Sequence, residues 1–70
     1  MSTGMHENRF GVIAVKGGFI TPKQLYAALK IQVMEELEGT EHHLIGEILH
    51  TKGYITTTQI NEVLEFMDML

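Results

Sequence analysis

The feature that most constrains this chain is that it matches itself. Displaced by thirty-five residues, Gly11 falls on Gly46, Ile13 on Ile48, Gly18 on Gly53, Ile20 on Ile55 and Thr21 on Thr56. The register continues through Gln24 and Gln59, Leu29 and Leu64, and Met34 and Met69, with Phe19 against Tyr54 and Leu25 against Ile60. A unit this short cannot bury its own apolar face, whereas two copies bury theirs against each other. The expectation is an all-α, four-helix domain of two helix-turn-helix units: repeat one over 9–34, a linker over 35–43 and repeat two over 44–69, behind a flexible N-terminus over 1–8.

Each copy carries its own start and stop signals. Thr21 is placed as an N-cap, Pro22 suits the first helical position, and Gln24 stands where a capping box closes. Ile20 and Leu25 bracket that cap at the spacing of a hydrophobic staple, and Thr56, Gln59, Ile55 and Ile60 repeat the device. The helix opened by Thr21 is expected to bury Leu25, Leu29, Val33 and Leu37 with Ala28, and to end at Gly39. The helix opened by Thr56 is expected to bury Ile60, Val63, Leu64 and Met67. Shorter helices precede them, from about Arg9 to Lys16 after Asn8 and from about Glu41 to Lys52 after Thr40, ending at Gly18 and Gly53 in left-handed turns.

Composition narrows the class. A hydrophobic share of 44% with 20% charged residues describes a folded domain rather than a disordered tail. There is no cysteine to supply a disulfide or a thiolate zinc site. No apolar run approaches the roughly 18 residues of a membrane span, and the polar start does not resemble a signal peptide, so the expected compartment is cytoplasmic. Net charge is −4, with Glu35, Glu36, Glu38 and Glu41 clustered mid-chain, which disfavours electrostatic binding to nucleic acid or anionic lipid. The cluster reads as a solvated face and turn, the alternative being a docking surface for a basic partner.

Arg9-Phe10-Gly11, followed by Val15, Gly18, Ile20, Leu25, Leu29 and Gln32, resembles the motif that occurs twice in the N-terminal domain of bacterial type II secretion and type IV pilus assembly ATPases. In its pilus-ATPase branch that domain binds cyclic di-GMP. The first copy departs from the motif at Phe10, Ala14 and Phe19, while the second keeps Gly46, Leu49, Gly53, Ile55 and Leu64 and has Leu44 and Met67 in place of the motif's Arg and Gln. The resemblance implies a ligand site formed by Arg9, Gly11, Val15, Gly18, Ile20, Leu25, Leu29, Gln32, Gly46, Gly53, Ile55 and Leu64. Chemically, Arg9 suits a guanine face or phosphate, Gln32 offers both a donor and an acceptor, and the aliphatics suit a purine. With only one of the two motifs intact, cyclic di-GMP binding is expected to be weak.

Other constellations carry less. His43, Glu47 and His50 at i, i+4 and i+7 would share one face of a continuous helix, the spacing of a divalent-metal facet, but exposed His near a helix C-terminus is already favoured by the dipole, and no metal site is assigned. No Gly-rich phosphate loop ending in Lys-Ser or Lys-Thr is present, and Ser2 is the only serine, so no catalytic residues are assigned and the chain reads as no enzyme. A DNA-reading helix-turn-helix would place acidic Glu62, Glu65 and Asp68 in the groove. The expected function is a non-catalytic regulatory or adaptor module whose apolar groove binds a protein partner, an assembly ATPase or signalling protein acting in trans. No resident cofactor is expected, cyclic di-GMP being the alternative ligand and a second copy of the chain a further candidate partner.

Overall fold

The computed structural model describes residues 2–39 and 41–69, with side chains from residue 9 onward. Its described residues form four helices and no strand: α1 (Ser2–Lys16), α2 (Pro22–Glu38), α3 (Ile45–Thr51) and α4 (Thr57–Asp68). The all-α, four-helix architecture is the expected one. Packing runs chiefly between the halves, since α2 lies most extensively on α3 while α1 contacts both α3 and α4.

The helix ends follow from their local chemistry. Thr21 is extended (φ −94°, ψ 159°), its Oγ1 accepts from the Gln24 backbone N–H at 3.1 Å, and Gln24 Oε1 accepts from the Thr21 N–H at 2.9 Å. Thr56 and Gln59 make the same reciprocal pair at 3.1 and 3.0 Å. Two of the N–H groups that a helix start leaves unpaired are thereby satisfied at each site. The preceding helices end in matching Schellman turns: the Phe19 N–H reaches Ala14 O and the Gly18 N–H reaches Val15 O, while Tyr54 reaches Leu49 O and Gly53 reaches His50 O. That geometry requires a left-handed residue, and Gly18 and Gly53 adopt φ of 80° and 79°. Gly39 caps α2 at φ 68°.

Three expected boundaries are corrected. Helix α1 begins at Ser2, so Asn8 lies inside it rather than capping it. Helix α2 ends at Gly39 as expected, so it is the lower bound of the 35–43 linker that shifts, residues 35–38 being helical. Helix α3 begins only at Ile45, behind Leu44, whose N–H donates to Glu47 Oε1 at 2.8 Å. Leu44 has no side-chain acceptor, so only half of a capping box is made. Thr40, the cap expected there, lies outside the described residues.

The core comprises Phe10, Ala14, Ile20, Leu25, Ala28, Ile45, Ile48, Leu49, Ile55 and Val63. Both staples contribute, through Ile20 with Leu25 and through Ile55 with Ile60 packed against the core. Val33, Leu37 and Leu64 were expected inside and are exposed. The reason is helical geometry: each four-residue step overshoots a turn by about 40°, so a Leu25-Leu29-Val33-Leu37 ladder walks off the buried face by about 120°.

Candidate functional site

Among the described residues, a groove lies between the end of α1 and the middle of α4. Ile13, Phe19, Val63 and Phe66 wall a groove of about 410 Å³, and Lys16, Gly17 and Glu62 complete its lining. Its position follows from the turn after α1, where Gly18 reverses the chain and carries Phe19 back toward α4. Val63 forms the buried floor, while Ile13 and Phe19 are half-buried and Phe66 is exposed. A groove of this size, apolar with one cation and one carboxylate at its margin, suits an apolar segment with little need for hydrogen bonds.

The motif residues separate into a packed set and an outer set. Ile20, Leu25 and Ile55 are core residues, and Val15 and Leu29 pack partly against them. Gly11 is a close-approach position, because a Cβ there would lie 2.5 Å from Leu25 Cδ1; Gly46 sits under the Phe10 ring, 3.2 Å from where its Cβ would be. These two glycines let α1 approach α2 and α3. Gly18 and Gly53 act through the turns already described. Arg9 and Leu64 are exposed. Gln32 is part-buried, and its Nε2 donates to the His43 backbone carbonyl at 3.2 Å. None of Ile13, Phe19, Val63 and Phe66 belonged to the expected ligand site. The available signal was Phe66, an aromatic residue three positions after Val63, where the repeat has Ile31.

A second cluster joins the end of α2 to the segment before α3. The His43 N–H donates to Glu35 Oε1 at 3.0 Å, and His43 Nδ1 lies 2.8 Å from Glu35 Oε2. Glu41 Oε1 approaches His43 Nε2 at 3.5 Å, and Glu36 Oε2 approaches His42 Nδ1 at 3.4 Å. The His43 backbone N–H, followed by its imidazole, holds the Glu35 carboxyl below its ordinary range. The hydrogen bond to Glu35, reinforced by its charge, raises the His43 imidazole. The mid-chain acidic cluster thus has a structural task, as Glu35 pins the α2–α3 connection.

That arrangement separates the three residues weighed above as a metal facet. His43 precedes α3 and points to Glu35, Glu47 Oε1 accepts from Leu44, and His50 Nε2 lies 3.3 Å from Thr57 Oγ1. The three side chains have separate partners, and among the described residues no three His, Cys, Asp or Glu converge on a common point. No described helix is long and apolar enough to cross a membrane. No family model, curated protein or solved structure matches the chain.

Proposed function

We propose that this chain is a non-catalytic regulatory or adaptor module whose α1–α4 groove receives an apolar segment of a protein partner. The observation that carries this reading is the groove itself, with Phe66 half out of the fold beside Ile13, Phe19 and Val63. Exposed aromatic side chains at the edge of an apolar concavity are the usual anchors of protein recognition. The motif resemblance adds context: the proposed partner is an assembly ATPase of the secretion or pilus type, or a signalling protein of that system.

Cyclic di-GMP recognition is the second reading, favoured by the exposed Arg9 at the motif's opening position. It ranks lower because Gln32 already donates to the His43 carbonyl, and because Leu44 and Met67 stand where the second motif has its polar residues. Each missing hydrogen bond to a buried or charged group is worth about 1–3 kcal/mol.

The test pairs two titrations. A purified pilus- or secretion-type assembly ATPase should bind the chain and lose that binding to Phe66→Asp, whose site is exposed enough to leave the fold intact. Cyclic di-GMP should bind only in the millimolar range or weaker, tightening in Leu44→Arg/Met67→Gln and weakening again when Arg9→Ala is added. Calorimetry showing micromolar binding of cyclic di-GMP to the unmodified chain would reverse the ranking.

A further inference from the structure

The groove between α1 and α4 offers an occupant side chains but no backbone donor. Ile13, Lys16, Glu62, Val63 and Phe66 lie within helices, where their N–H groups are taken up by the helix itself. Gly17 and Phe19, from the turn after α1, have theirs on Ile13 O and Ala14 O at 2.8 and 3.0 Å. The Phe19 ring lies against Gly17, 3.3 Å from where a Cβ would stand, so this wall is formed within the chain itself. An extended segment laid here would bury its own carbonyls unpaired, which is costly. A helix brings its backbone already satisfied.

The two margins of the groove carry opposite charge. Lys16 follows Ile13 by three residues on α1, and Glu62 precedes Phe66 by four on α4, so each is the neighbour of an apolar wall residue on its own helix. Both are exposed, and among the described residues neither has an ion-pair partner within 4 Å. Helix α4 adds Glu65 and Asp68 and contains no cation. A helix seated on the Val63 floor holds one flank over each margin. Complementarity then calls for carboxylates on the flank above α1 and for Lys or Arg on the flank above α4. Flanks of a single sign would meet repulsion on one side.

Taking the groove as the partner site, as proposed above, we infer that its occupant is an amphipathic α-helix of the partner protein, with an apolar stripe between an acidic flank beside Lys16 and a basic flank beside Glu62. The stripe meets Ile13, Phe19, Val63 and Phe66. Phe66, 55% exposed, is the main anchor, because an aromatic side chain at a groove edge gains most from being covered. The two margin charges set the direction in which the helix lies and the choice of partner more than the affinity.

Synthetic peptides of about 16 residues with a leucine stripe at i, i+4, i+7 and i+11 are the probes. The first has glutamates on one flank and as many lysines on the other, the second has glutamine on both, and the third is the first with a central proline. In NMR titrations of the full chain at low salt, the first should bind below about 1 mM with shifts centred on Ile13, Phe19, Val63 and Phe66. The second should bind about three- to tenfold more weakly, and the third not at all. Phe66→Asp should abolish binding of the first peptide while helical circular dichroism is kept. Lys16→Glu and Glu62→Lys should each weaken it about three- to tenfold, and the double variant should restore it, because the peptide then lies in the reverse direction. No binding of the first peptide, equal binding of the proline peptide, or indifference to Phe66→Asp overturns the helical occupant. A glutamine peptide as tight as the first, or a double variant no better than the singles, overturns the charged flanks. An assembly ATPase that binds and is lost in Phe66→Asp, while no helical peptide binds, would keep the groove as the partner site and refute only the helix.

Discussion

Displacement by thirty-five residues carries the α1–α4 pair onto the α3–α2 pair, yet the two interfaces differ. On the α2–α3 side, Ile48 and Ala28 are buried and Ile31 packs against the core. On the α1–α4 side the corresponding residues are Ile13, half-buried, Val63, buried, and Phe66, exposed beside a groove. Small Ala28 permits a close approach of α3, and the Gln32 and Glu35 contacts to His43 tie that approach down. At Gln32's related position α4 carries Met67, which offers no such donor. One local plan therefore supports a closed interface and an open one, and side-chain size with one hydrogen-bonded clamp makes the difference.

The largest test of that contrast is truncation on each side. Leu49→Ala, at a fully buried position of α3, should cost about 2–5 kcal/mol, enough to unfold much of so small a domain. Val63→Ala on the open side should cost clearly less, because it removes fewer atoms beside a groove into which the floor can relax. Urea denaturation midpoints check this, and equal losses would mean that the α1–α4 side is not the looser of the two.

Where the halves are alike, substitutions should be matched. Gly18→Ala and Gly53→Ala should each cost about 1 kcal/mol or more, from positive φ alone, since no heavy atom lies within 4 Å of either added Cβ. Unequal losses beyond about 0.5 kcal/mol would show that one turn is held by its surroundings rather than by its own geometry. Thr21→Ala and Thr56→Ala should each lose about 1 kcal/mol, read from the same denaturation curves. A silent Thr56→Ala would restrict the effective capping box to the first half.

The smallest effect concerns pH and belongs to the closed side alone. Glu35 is lowered in the fold, so its contribution is present above the ordinary carboxylate value and lost as pH falls through the folded one. His43 is raised, so its contribution is complete below the ordinary imidazole value and lost as pH rises through the folded one. The clamp is therefore strongest between about pH 4.5 and 6.5. NMR titration should find the His43 pKa elevated and returning toward its ordinary value in Glu35→Gln, with the α1–α4 side unaffected. An unchanged His43 titration in that variant would remove the ionic part of the clamp.

The sequence by itself determined the helix class, both capping boxes, both staples and the left-handed glycines, because each depends on residues within a few positions of one another. Thr-x-x-Gln closes on its own backbone, and a Schellman turn needs little more than a glycine after a helix. Only the tertiary structure decided which apolar residues are covered. Helix α2 presents apolar side chains on opposite faces, so periodicity names two candidates for the core and cannot rank them. Helix α3, about 10 Å long against about 25 Å for α2, is too short to cover the whole of its partner. Its late start follows from contacts between Glu35 and His43 across the intervening turn, which no local pattern encodes. For the same reason the groove beside Phe66 was invisible in the motif: it depends on how far α4 stands from α1, a distance set by packing between the halves.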